Sequence, residues 1–282
     1  MRRPLSEQNG TQVPTLQRPT TNDPDAWKTY WAAQGWHWRT EPEIDTERQK
    51  YLAERRAIKP DIEQGIYPFK DIKLSRADVE WLLVTHENGR GPVDWSDKSQ
   101  RERWGLDLRG ANLCQVDLSF LPLARLRGGL GWEEWFKTTE QQRKMATVLM
   151  VGANLVETNV NGANLVGAEL ERADLRWTEL EIANLRWAQL NGANLVGAQL
   201  NGAYLRGSNL ESVNLSEAKL DGAYLKDIVL GDKQRIGPQL ADVQWGYTNL
   251  ALVDWSQVRM LGDEYKAHQR IKYNEEVKDC FC

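Results

Sequence analysis

The residues best suited to chemistry are few and scattered. Three histidines, His37, His86 and His268, fall in different segments, and none stands in H-E-x-x-H or another spacing that would aim two imidazoles at one metal ion. Cys114 has no histidine beside it in sequence, so nothing there resembles an activated thiol pair. The chain has no G-x-S-x-G elbow, no P-loop and no glycine-rich turn of the kind that cradles a phosphate between a strand and a helix. Glu169, Glu171 and Glu211 project from what would be one face, where a solvated rim is the ordinary reading. The chain is therefore expected to be no enzyme, with no cofactor and no metal site.

Composition narrows the partners. Across 282 residues, 36 Lys and Arg stand against 40 Asp and Glu, a net charge of -4. Duplex nucleic acid and anionic membranes select strongly basic surfaces, so no direct nucleic-acid binding is expected. The three cysteines, Cys114, Cys280 and Cys282, are too few and too badly placed for a disulfide framework, which points to a reducing compartment. No apolar run approaches the ~20 residues that a membrane helix needs, and the amino terminus has no apolar core that could serve as a leader. A cytoplasmic protein is expected. The terminal Cys-Phe-Cys is not a CaaX box, because position 279 is Asp.

The elements that must position any site divide into four. Residues 1–23 are polar, carry Pro4, Pro14 and Pro19, and read as a disordered tail. Residues 24–104 mix aromatic and charged residues at helical spacing and read as a mainly helical region. Within it, Ser75 stands three residues before Asp78 as a capping-box start, and Asn88-Gly89 is a C-terminal stop. Residues 105–260 hold a periodic signal, broken by an insertion at about 125–145 that includes a short helix from Thr139. Residues 261–282 read as a polar helical segment.

The period is five. At every fifth position from 155 to 230 the residue is Leu, except for Val160, and two residues earlier it is Ala or another small or branched residue. Neither the 3.6-residue helix nor the two-residue strand keeps a five-residue pattern on one side. Small residue and Leu, two apart, share one face of an extended segment, but the next inward residue comes three later. Each unit must therefore be a short extended side followed by a corner. Such a chain coils around its own interior, with Leu155, Leu165, Leu175, Leu185, Leu195, Leu205, Leu215 and Leu225 inside and Ala163 and Ala193 packed beside them. The many glycines fall at the corners, where backbone freedom is needed.

The units "ANLVG", "AELER", "ADLRW", "ANLRW" and "AYLRG" resemble the A(D/N)LXX units of the pentapeptide-repeat family. The resemblance is strong over residues 146–230, clear over 106–124 and looser over 238–260. It implies an all-β solenoid, a right-handed quadrilateral β-helix, here with an N-terminal helical region and a short C-terminal helix. A coil of four sides takes 20 residues. Leu108, Leu113, Leu118 and Leu123 are out of phase with the later set, which places the insertion between a first coil and the rest. Past Leu230 the inward residues become larger, Val243 with Trp245, Val253 with Trp255 and Val258 with Met260, as suits a coil that closes a core end.

A coil of 20 stacks the units centred on Leu165, Leu185, Leu205 and Leu225. Their outward residues include Arg186, Trp187, Tyr204, Arg206, Tyr224 and Lys226, and this face carries +2 within residues 151–230 while each of the other three carries -2. Trp, Tyr and Arg are the usual anchors of protein interfaces. These six are the candidate binding residues of a non-enzymatic scaffold or protein-interaction module whose protein partner is unknown. A homodimer through the terminal segments is left open. The resemblance also implies an alternative, since some family members mimic DNA and bind DNA gyrase. Ten acidic against six basic residues in 151–230 is several-fold sparser than duplex DNA, with its one charge per ~1.7 Å.

Overall fold

The computed structural model describes residues 17–231 and 237–253. The tail at 1–16, the segment 261–282, and the positions Trp255, Val258 and Met260 lie outside the described residues, so the readings made for them stand only as expectations. Residues 17–23 lack regular structure, but the Trp27 indole donates to the Thr21 carbonyl at 2.8 Å and the Arg18 guanidinium lies over the Trp27 ring.

The chain divides into two compact units, residues 1–42 and 43–282. In the first, α1 (Pro24–Ala33) is capped by the Asp23 side chain and has proline at its start, where the missing N–H costs nothing. Its Trp27 and Trp31 are buried, and the Arg39 guanidinium lies 3.5 Å from the Trp31 ring centre.

The second unit opens with α2 (Thr46–Arg56), α3 (Arg76–Val84) and the distorted turn α4 (His86–Gly89). The Ser75 hydroxyl accepts from the Asp78 N–H and the Asp78 carboxylate accepts from the Ser75 N–H, which makes the expected capping box. The helix stops earlier than its pattern suggests, at Val84, because Glu87 and Asn88 both adopt left-handed backbone angles.

The periodic segment forms coils held by isolated parallel bridges, not by strands of several residues. One column of bridges runs Asp107, Arg127, Asn164, Asn184, Tyr204, Tyr224, and three others run beside it. From Leu149 to Asn209 successive partners are 20 residues apart, so each coil has four sides. Inside, the Leu at the centre of each unit and the small residue two before it are buried throughout, including Ala163, Ala193 and Thr158.

The five-residue unit satisfies its own backbone. In the unit around Leu185, Asn184 N–H donates back one coil to the Ala163 carbonyl, and Leu185 and Trp187 donate forward to the Tyr204 and Arg206 carbonyls. Ala188 N–H closes the corner onto the Leu185 carbonyl. The remaining donor, Arg186 N–H, points at the Asn184 side-chain oxygen. Asn154, Asn164, Asp174, Asn194, Asn209 and Asn214 make the same contact two residues on. This turn chemistry is the physical reason for Asp or Asn before the Leu.

Every corner has one residue in the left-handed region. From Gly152 to Asp227, each fifth residue has φ between 53° and 71°. Gly adopts this freely, but Trp177, Ile182 and Trp187 occupy it too, at 59°, 56° and 56°. For bulky or β-branched side chains it is an unfavourable backbone conformation.

The insertion is displaced from its expected place. Asp107 pairs with Arg127 at a separation of 20, whereas Arg127 pairs with Asn164 at 37. The excursion therefore adds 17 residues and leaves after the first side of the second coil, not between coils. A shift of 37 is two residues out of step with a period of five, which accounts for the phase break. The excursion carries α5 (Trp132–Lys137) and α6 (Glu140–Ala146), the second capped by Thr139 as expected.

Both ends of the core are covered. At the first coil, Lys73 adds a rung beside Asn112, and the Arg76 guanidinium donates to the Asp117 and Ser119 carbonyls. Pairing and capping of this kind protect a sheet edge. At the other end Pro238, Leu240, Trp245 and Val253 close over Leu215, Leu220 and Leu225.

Candidate functional site

The four units centred on Leu165, Leu185, Leu205 and Leu225 do stack on one face, because Asn164, Asn184, Tyr204 and Tyr224 are consecutive bridge partners. The insertion then lies across the first half of that face. The Asn164 amide donates to the Gly129 and Leu130 carbonyls, which pins the departing chain. Beyond it, α5 brings Trp132, Trp135 and Phe136 onto Trp187. The Trp135 and Trp187 rings are stacked with centres 4.7 Å apart, the Trp132 and Trp187 rings 5.5 Å apart, and Phe136 meets Trp187 edge-on.

Of the six expected binding residues, two are therefore engaged within the chain. Arg186 lies between two rings, 4.6 Å from the centre of Trp132 and 4.3 Å from that of Tyr204. Its guanidinium donates to the Asn184 side chain, and burial pulls its pKa below the ordinary arginine value. Such stacking suits a planar, weakly hydrated cation. Trp187 is half-buried beneath α5. Arg206 is ion-paired with Asp227 at 3.0 Å. Tyr204 and Tyr224 are each 38% exposed and Lys226 is half-buried.

Two residues missed in the sequence complete the surface: Trp132 and Phe136 of α5 are 39% and 59% exposed beside these tyrosines. A signal was present, since an aromatic residue at 187 stands where the corner favours glycine. Tyr204 and Tyr224 also replace the Asn or Asp that elsewhere caps the turn.

The remaining candidates stay apart. His37 is exposed, the His86 ring lies 3.0 Å from the Trp104 carbonyl, and His268 is outside the described residues. Burial, with the neighbouring Glu171, pushes the Glu169 carboxyl up. Among the described residues no group of three or more His, Cys, Asp or Glu could hold a metal ion, and no helix is long and apolar enough to cross a membrane.

The family profile of pentapeptide repeats matches residues 150–186 and 183–222, with eight copies. Over that segment the chain belongs to the pentapeptide-repeat family. No curated protein matches. Among solved structures, HetL, a pentapeptide repeat protein involved in heterocyst differentiation regulation from the cyanobacterium Nostoc sp. strain PCC 7120, is 25% identical, with a TM-score of 0.23. The match covers 49% of this chain and 60% of HetL, so this chain spans less than two thirds of that protein's length. Rfr23 from the cyanobacterium Cyanothece 51142 is 29% identical over 48% of this chain and 87% of its own, with a TM-score of 0.25. QnrB1, a plasmid-mediated fluoroquinolone resistance protein, is 15% identical over 44% and 84%, with a TM-score of 0.22.

Proposed function

We propose that the chain is a non-enzymatic protein-interaction module, a rigid coil that presents one aromatic and cationic face to a protein partner. The observation that carries the reading is the convergence of Trp132, Phe136, Tyr204 and Tyr224, all more than a third exposed, around the stacked Arg186. Rigid aromatic side chains lose little entropy on binding and bury large areas, so they serve as anchors. Arg206 and Lys226 at the rim favour a partner with acidic groups. The right-handed sense of the coil belongs to the same reading, through the family resemblance.

A second reading, a DNA mimic that binds gyrase, draws on the family and on the likeness to a fluoroquinolone resistance protein. It lacks the dense negative charge that such mimicry demands: residues 151–230 carry ten acidic and six basic side chains. The discriminating experiment is a gyrase supercoiling assay with the intact chain at stoichiometric concentration. Unchanged supercoiling is expected, together with loss of co-purifying protein in Tyr204→Ala with Tyr224→Ala. Strong inhibition would reverse the order of the two readings.

A further inference from the structure

Away from this face, where α2 and α3 meet the first coil, lies a cavity of about 240 Å³. Its walls are apolar, formed chiefly by Phe69, Leu82 and Leu106, and Trp104 is half-exposed beside them. Into the same cavity come two guanidinium groups, Arg56 from the end of α2 and Arg127 from the coil.

The charges there do not balance. Arg109, itself buried, holds both oxygens of Asp107 at 2.9 and 2.6 Å. Arg127 reaches the same carboxylate only at 3.5 Å, too long for a good hydrogen bond. Arg56 donates to the Thr85 carbonyl and hydroxyl through one nitrogen, and both are neutral acceptors. One carboxylate thus faces three arginines. Burial pulls both the Arg56 and the Arg127 pKa below the ordinary arginine value, the mark of cations short of solvation and of a counter-charge. Arginine does not discharge in proteins, so an outside anion is what relieves the imbalance.

We propose that this cavity binds a small organic monoanion, a carboxylate with an aromatic or branched apolar body. The body lies against Phe69, Leu82 and Leu106 and the carboxylate meets Arg127 and Arg56. A cavity of about 150 Å³ holds benzene, so 240 Å³ admits a ring with a short acidic arm. An inorganic anion would leave the apolar walls unfilled, and a neutral ligand would leave the arginines unpaired. The guanidinium fork favours a planar two-oxygen group.

Calorimetric titration of the full chain with phenylacetate, and with its neutral amide phenylacetamide, tests this. Saturable one-to-one binding of phenylacetate at a Kd of about 1 mM or tighter is expected, at least tenfold stronger than that of the amide. Arg127→Gln and Arg56→Gln should each remove the preference for the acid, while Arg206→Gln should leave it intact. If the cavity variants fail to fold, the ratio of acid to amide on the unaltered chain decides. Equal affinities, no saturation by phenylacetate, or an acid preference that survives in both folded cavity variants would overturn the proposal.

Discussion

The Trp135 ring lies parallel to that of Trp187, 52 positions further along the chain, with 1° between their planes and 4.7 Å between their centres. This stack, with Trp132 on the same partner, fastens the excursion to the coil. Aromatic pairs contribute about 0.5–1.5 kcal/mol each beyond area burial. Trp187→Gly removes the partner and at the same time relieves a left-handed backbone position. Amide exchange across α5 should therefore accelerate at least tenfold while the Leu165 and Leu185 amides stay protected. Unchanged exchange in α5 would mean that something other than this stack holds it.

Corner strain gives a prediction of opposite sign. Ile182 has φ 56° and is half-exposed. The left-handed conformation costs a residue with a Cβ about 1–2 kcal/mol, against about 0.5–1 kcal/mol of added backbone entropy cost for glycine. Ile182→Gly should raise the melting temperature by a few degrees. A lower melting temperature would show that its side-chain packing outweighs the strain.

The glycine corners differ among themselves. A Cβ at Gly197 would run into the Trp177 ring, whereas one at Gly222 would meet nothing within 4 Å. Both have positive φ, so Gly222→Ala measures the backbone cost alone. Gly197→Ala should cost clearly more in chemical denaturation, because Trp177 must also move. Equal losses would contradict the packing of Trp177 over that corner.

The core is tested by a neighbouring pair. Ala193 is buried, and Asn194 points outward with its side-chain oxygen accepting from Val196 N–H. Ala193→Trp overfills a close-packed interior by far more than the few methylenes that cost about 1–3 kcal/mol, and should unfold or shorten the coil. Asn194→Asp keeps the acceptor and should be nearly silent. Similar melting temperatures for the two variants would contradict the register.

Much of this was legible in the sequence because the coil is built from local repetition. Leu165, Leu185 and Leu205 repeat with the coil, and a 20-residue turn follows from four corners. The position of the excursion was only roughly legible, since the phase of Leu108 to Leu123 records that residues were inserted but not after which side they leave. The docking of α5 on Trp187 was not legible. Contacts between an irregular arm and a repeat depend on three-dimensional course, and no period links Trp132 to Trp187. The cavity was hidden for the same reason: Arg56, Leu82 and Arg127 come from three distant elements.

Acid should loosen the helical cover first. Burial pushes the Asp78 carboxyl up, but hydrogen bonds from Arg48 and Ser75 outweigh it and hold the group below the usual carboxylate value. With a folded pKa depressed below the unfolded one, the stabilisation is fully present above about pH 4 and is lost as pH falls through the folded pKa. The stability difference between the native chain and Asp78→Asn should be constant from about pH 5 to 7 and shrink below about pH 4. A difference that is independent of pH down to about pH 2 would contradict this pairing.

The most direct measurement of the interaction face is a photo-crosslinking map of the intact chain in its native host. A crosslinking side chain at Tyr224 or Phe136 reports the aromatic face, and one at Asn214 or Lys219 reports the two faces away from it. Protein adducts are expected at Tyr224 and Phe136, competed by an excess of the unlabelled chain and absent at Asn214 and Lys219. Adducts at Asn214 or Lys219 with none at Tyr224 and Phe136 would contradict the assignment of that face.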